Sequence, residues 1–186
     1  MMQVHALGLY WERSGSEPSP AARLLHSFKY TGERVAGRAL ARMLAVHAAA
    51  ALDLSDVALV PIPLHPRRLR SRGFNQAAWL SRALARSCGA AVHPDALARP
   101  HDDAPRPGRT AHERRTTTAP LFLPGRCAPP DRPLVLVDDV CTTGTTLAAA
   151  ATALTARGLV VEGAIVLLLA DRARRDDTAA ATEKIR

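Results

Sequence analysis

The chain has 186 residues, enough for one domain of ordinary size, and its 47% apolar and 23% charged composition excludes wholesale disorder. Lysine and arginine outnumber aspartate and glutamate 25 to 17, a formal net charge of +8 that points toward anionic partners. No apolar run reaches the ~18 residues of a membrane span, Met1–Tyr10 lacks the basic and apolar regions of a signal peptide, and Cys88, Cys127 and Cys141 are too scattered for a disulfide framework or a zinc site, so a reducing cytoplasm is the expected setting.

Residues 1–20 read as a leader ended by Pro18 and Pro20. Ala21–Tyr30 predicts a helix with Leu24, Leu25 and Phe28 on one side, broken by Thr31 and Gly32. Glu33–Leu52 predicts a longer helix, with Val35, Ala39, Met43 and Val46 as its apolar stripe. Val57–Val60 is a short apolar run stopped by Pro61 and Pro63, as at a buried strand end, and Leu64–Gly73 reads as a loop. Asn75–Ser87 predicts a helix with Asn75 as N-cap, Ala77, Leu80 and Leu84 inward, and Gly89 beyond its end. Ala91–Val92, Ala96–Ala98 and Leu121–Leu123 suit short strands, while the proline-rich, charged stretch around 100–118 reads as a mobile loop. Leu134–Val137 is a strand without alternation, so both its faces should be covered. Thr145–Arg157 predicts a helix closed by Gly158, and Val160–Leu169 a last strand bent at Gly163. From Asp171 to Arg186 the chain is a polar tail, leaving 21–170 as the domain. Strands alternating with helices imply an α/β fold with a parallel sheet, and such sheets bind ligands beyond the C-terminal ends of their strands.

Two loops lie at such ends. In the first, the apolar run Leu134–Val137 leads straight into Asp138 and Asp139. Adjacent carboxylates repel, so the pair destabilises the fold unless something uses it. Ribose hydroxyls, with a cation nearby, would use it. Thr142–Thr146 then opens a helix, whose free N–H groups and dipole suit an anion. Gly144 permits close backbone approach, and the threonine hydroxyls add donors. A diol site beside a phosphate site describes a ribose 5-phosphate. The glycine-lysine signature of a P-loop and the dinucleotide glycine fingerprint are both absent.

In the second loop, Arg67, Arg68, Arg70 and Arg72 crowd one segment after the Val57–Val60 strand. Four like charges this close argue for an anion, and pyrophosphate is the natural one, because arginine pairs with phosphate oxygens through two parallel bonds. His65 next to Pro66 reads as solvated, Trp79 as packing, Tyr10 and Trp11 as a surface patch, and Cys141 lacks a neighbouring base that would make it a nucleophile.

Val137-Asp-Asp-Val-Cys-Thr-Thr-Gly-Thr-Thr146 closely resembles the phosphoribosyl pyrophosphate (PRPP) motif of type I phosphoribosyltransferases. The resemblance implies an α/β, type I phosphoribosyltransferase-like parallel sheet flanked by helices. It implies Asp138 and Asp139 for the ribose hydroxyls and the Mg²⁺ that accompanies PRPP. It implies Thr142, Thr143, Gly144, Thr145 and Thr146 for the 5-phosphate, and Arg67, Arg68 and Arg72 for the pyrophosphate. Purine-salvage members usually carry an acid where Thr142 stands, so the resemblance leans away from them and leaves both the acceptor base and the catalytic residue unassigned.

Pro63-Leu-His-Pro-Arg-Arg68 with Arg72-Gly-Phe-Asn-Gln76 sharpens the resemblance to the ComF family, and Phe28-Lys-Tyr-Thr-Gly32 matches that family's Phe-Lys-Tyr-x-Gly element. Arg114-Arg115 before Thr116–Thr118 is a looser match. Many ComF proteins begin with a Cys-rich, zinc-ribbon-like segment, and this chain is expected to be a shortened member without it. The resemblance implies transfer of phosphoribosyl to a nucleobase-like acceptor with release of pyrophosphate, linked to competence and DNA uptake. A non-enzymatic module that keeps the PRPP pocket and binds single-stranded DNA, or competence machinery, is the other expectation, and a homodimer is allowed.

Overall fold

The computed structural model describes residues 2–10, 17–100, 120–126 and 132–170, and the backbone of 182–185. The loop expected over 100–118, with Arg114 and Arg115, lies almost wholly outside the described residues, as do Trp11, Cys127 and most of the polar tail.

In chain order the elements are β1 (Met2–Leu9), α1 (Pro20–Tyr30), α2 (Arg34–Ala51), β2 (Ala58–Pro61), α3 (Pro66–Arg72), α4 (Gln76–Cys88) and β3 (Ala91–Val92). There follow β4 (Leu97–Ala98), β5 (Leu123–Pro124), β6 (Leu134–Cys141), α5 (Thr145–Thr155), β7 (Val161–Leu169) and β8 (Thr182–Ile185). The main sheet has the order β3-β2-β6-β7-β1-β8, with five parallel strands and an antiparallel β8 on the edge. β4 and β5 pair separately. The α/β architecture expected from the alternation of strands and helices is the one the chain adopts.

Helices cover both faces, so β6 is apolar on both sides. Val135 and Val137 face a core built with Leu25 and Phe28 of α1, Leu40 and Leu44 of α2, and Leu80 and Leu84 of α4. Leu134 and Leu136 face the opposite core, with Leu147 and Leu154 of α5 and Phe122 beside β5. The bend expected at Gly163 is a register shift: Leu134 pairs with Val161 and Val135 with Gly163, so Glu162 is the extra residue of a bulge.

Four expectations change. The 1–20 leader is not external to the domain. Met2–Leu9 pairs with β7 as an inner strand, and Val4 and Ala6 are buried there. Thr182–Ile185, in the expected tail, pairs with the other edge of β1. The segment Leu64–Gly73 is not all loop, because Pro66 fits the first helical turn, His65 caps it through Nδ1 and Gly73 ends it at φ 80°. On α2 the inward stripe is one or two residues further along, at Ala36, Leu40, Leu44 and Ala48, while Val35, Ala39, Met43 and Val46 are exposed. Both stripes share the helical period, so period alone does not choose between them.

Contact with α1 makes the choice. A Cβ on Gly37 would overlap the Phe28 ring, so the missing side chain is what lets α1 lie against α2. Phe28 also packs 4.7 Å from the Phe74 ring and 5.6 Å from that of Trp79, which makes Trp79 a packing residue as expected. Gly37→Ala should therefore destabilise the protein by about 1–3 kcal/mol, although helix propensity alone would favour alanine by ~1 kcal/mol. Urea unfolding at neutral pH measures the sign, and a gain in stability would mean that the Phe28 ring shifts freely.

Candidate functional site

The sheet reverses its winding between β2 and β6. From β2 the chain moves outward to β3, and from β6 it moves the other way to β7. Ligands of open α/β sheets bind at such a point, beyond the strand ends. β2 stops pairing with β6 at Pro61 opposite Val137, and Ile62 N–H adds one bond to the Val137 carbonyl at 2.9 Å. β6, expected to end at Val137, continues against β7 as far as Cys141. Asp138 and Asp139 thus sit on a strand held from one side, next to the edge that β2 has left.

The acids are not equivalent. Lys29, in the last turn of α1, donates from Nζ to Asp139 Oδ1 at 2.8 Å, and both side chains are largely enclosed. The Asp139 N–H donates to Asp138 Oδ1 at 2.8 Å. Burial, and secondarily the charge on Asp139, push the Asp138 carboxyl up from its ordinary 3.8 to about 7, against the opposing pull of the Asp139 N–H, Lys29 and Arg99. Arg99 reaches this neighbourhood from the end of the β4 segment, with its guanidinium 5.4 Å from the centre of the Phe122 ring.

Past the acids, Cys141 is buried among the residues on the α5 side of the sheet and is not open to attack a substrate. Thr142, Thr143 and Thr145 are exposed, Thr146 is half-buried, and Gly144 takes φ 75°, a conformation that favours glycine. Gly144 stands at the N-cap position just before α5 and offers no side chain to cap the helix. Apart from a long bond of 3.5 Å from the Thr145 N–H to Thr143 Oγ1, the first N–H groups of α5 have no capping side chain, as suits an anion. Thr143 and Thr145 share a hydroxyl hydrogen bond at 2.8 Å.

On the β2 side, Asn75 caps α4 and also donates from Nδ2 to the Ile62 carbonyl at 3.0 Å, tying the α3 excursion back to the strand end. Arg72 donates to Gln76 Oε1 at 2.9 Å, and its guanidinium stands 5.6 Å from the centre of the Tyr30 ring. Arg68 and Arg72 line a cleft of about 550 Å³ together with Lys29, Thr31 and Gly32. Arg67 is exposed in the first turn of α3 and does not line that cleft. The structure thus brings Arg68 and Arg72 to one cavity with Lys29, and through Lys29 to Asp139.

Lys29 and Arg99 are the site residues that the sequence reading assigned no role. Lys29 had a signal, since it stands in the Phe28-Lys-Tyr-Thr-Gly32 element and the only other lysine is Lys184. Arg99 had none beyond its charge.

No protein-family model matches the chain. It is 35% identical over 148 residues to DNA utilization protein YhgH of Salmonella typhimurium, covering 74% of this chain and 63% of that protein. It is 33% identical over 135 residues to competence protein F of Haemophilus influenzae, covering 69% of this chain and 58% of the relative. The chain is related to competence protein F. It spans about three fifths of the length of the curated relatives it matches. No group of three or more His, Cys, Asp or Glu side chains suited to a metal ion occurs among the described residues. A divalent cation at Asp138 and Asp139 would need oxygens from a ligand as well, which is the usual habit of Mg²⁺ with phosphates.

The raised carboxyl of Asp138 has a measurable consequence. It holds its proton more firmly in the folded chain than in the unfolded one, so its contribution to stability is full below pH ~4 and is lost as the pH rises through ~7. Asp138→Asn should therefore raise the melting temperature at pH ~8 and change it little at pH ~4. Thermal melts of both proteins at the two pH values check this, and an equal shift at both would mean that Asp138 titrates as an ordinary carboxyl.

Proposed function

We propose that the chain binds phosphoribosyl pyrophosphate at this crevice and transfers its phosphoribosyl group to a nucleobase-like acceptor, releasing pyrophosphate. The observation that supports the reading best is the meeting, at one switch point, of three chemistries. These are the paired acids, a helix N-terminus without a side-chain cap, and a cleft lined by Lys29, Arg68 and Arg72. A vicinal diol suits the acids, a phosphate monoester suits the N–H groups of α5, and a pyrophosphate suits the three cations. The competence and DNA-utilization names of the relatives support a link of the chain itself to DNA uptake.

In this reading Asp139 exchanges partners. Its Oδ1 accepts from Lys29 in the free protein. A bound ribose would take that oxygen with its hydroxyls and turn the lysine toward the phosphates of the same cleft. Asp138 and Asp139 would also hold Mg²⁺, which supplies charge neutralisation at the phosphates. As pyrophosphate leaves the anomeric carbon, its growing charge would meet the guanidinium groups of Arg68 and of Arg72, the latter positioned in advance by Tyr30 and Gln76. Arg67 is proposed as an outer contact. The alternative of a base-stacking DNA site draws less support, since Phe28, Phe74 and Trp79 are packed against one another.

Calorimetry with PRPP and Mg²⁺ tests the reading. Asp138→Asn combined with Asp139→Asn should abolish Mg²⁺-dependent binding without unfolding the chain; unchanged affinity would remove the assignment. Arg68→Ala and Arg72→Ala should each weaken PRPP and pyrophosphate by about 1.5–3 kcal/mol while sparing ribose 5-phosphate. Equal losses for all ligands would point to a diffuse electrostatic effect. Screening nucleobases for pyrophosphate release then tests the transfer.

A further inference from the structure

Away from the crevice, α2 and α4 pack side by side and leave a groove of about 320 Å³ along their outer seam. Its small residues are Ala41 and Ala45 of α2 and Ala83 of α4, all buried. Exposed around them stand Arg38 and Arg42, one helical turn apart on α2, and Arg86 of α4. None of these three arginines makes a hydrogen bond or ion pair among the described residues, in contrast to Arg72 of the crevice. Three exposed like charges around one groove, with no counter-charge beside them among the described residues, attract an anion to it.

A second feature adjoins the first. Val35, Met43 and Val46 are 70%, 46% and 65% exposed. At 100° per residue they form a stripe on the outward side of α2, next to the side that carries Arg38 and Arg42. An exposed large apolar side chain is ordinary when single. Three in one helical stripe, bordered by unpaired charges, form a patch of the kind that marks interaction sites.

We propose that this face docks an acidic amphipathic helix of a partner protein. An alanine-lined seam lets a third helix approach closely. The valine–methionine stripe offers contacts to its apolar residues, and the arginines offer bidentate pairs to its carboxylates. A second copy of this chain fits poorly, because a two-fold contact would set these arginines against themselves. A nucleic acid would satisfy the arginines but not the stripe. The one aromatic side chain in the groove, Trp79, is held edge-on by Phe28 and Phe74 rather than free to stack on bases. The proposal is independent of any ligand in the PRPP crevice.

The test uses fluorescence anisotropy of the intact chain at ~150 mM salt. The probes are a designed peptide of roughly 18 residues, five helical turns, with leucines on one face and glutamates beside them, its lysine counterpart with the same leucines, and an oligothymidylate. The glutamate peptide should bind and the lysine peptide should not. Met43→Ser with Val46→Ser, and separately Arg38→Glu with Arg42→Glu, should each weaken the glutamate peptide at least roughly tenfold. The charge reversal should also admit the lysine peptide, a gain that misfolding would not produce. No binding of the glutamate peptide, or equal binding of both peptides, overturns the proposal. So does oligothymidylate binding that is lost with the arginines but indifferent to Met43 and Val46, which would make the face a nucleic-acid site. A dimer seen by sedimentation and dissolved by Met43→Ser with Val46→Ser would assign the face to a second copy instead.

Discussion

The end of the pairing between β2 and β6 at Pro61 and Val137 is the constraint on which the rest of the site depends. One more ladder pair would close the edge of β6 beside Asp138 and bury the acids against backbone. The N–H groups on the β2 side that reach β6 include those of Ala58 and Ile62, while Pro61 and Pro63 leave the opposite, β3-side edge without donors. β7 carries β6 on to Cys141, so the acids gain a rigid base without losing their open side. The crevice is thus a product of strand lengths, and the side chains that fill it come from the segments released there.

Charge balance follows from that opening. Two adjacent carboxylates in a half-enclosed place cannot both hold full charge cheaply, and the fold divides them. Asp139 is paired with Lys29, while Asp138, buried and with a like charge beside it, holds its proton up to about pH 7. Lys29 can reach Asp139 because Phe28, the residue before it, is anchored under α1 by the space at Gly37 and by the rings of Phe74 and Trp79. Phe74 lies in the segment that links α3 to α4, and Gln76 is the first residue of α4. One aromatic cluster therefore sets both the lysine that touches the acids and the start of the helix whose glutamine orients Arg72.

Much of this was legible in the residues. The apolar run ending in two acids, the glycine-threonine turn and the following helix were readable because each depends on local chemistry: burial on both faces, a positive φ at Gly144, an open helix N-terminus. Asn75 and Gly89 marked the ends of α4 for the same reason. What the residues did not reveal depends on long-range contact. β1 has too few turn or pattern signals to announce an inner strand, and its place comes from pairing with β7, more than a hundred residues away. The inward face of α2 depends on where Phe28 lands. Lys29 meets Asp139 across 110 residues, a separation that no local pattern spans.

The same distinction separates the arginines, whose number says little. Those of α3 gather at the strand ends, and Arg72 is oriented by an aromatic ring and an amide, as a group that must hold a fixed position for a phosphate. Those of the α2–α4 seam have no such support and stand beside exposed valine and methionine. A small ligand is recognised by donors fixed before it arrives, because each rotamer frozen on binding subtracts from affinity. A helical partner can order such side chains as it docks, since its apolar area contributes alongside the charges. The two arginine-rich surfaces of this basic domain therefore differ in how far their side chains are fixed in advance, the difference that separates the compact polyphosphate proposed for one from the acidic helix proposed for the other.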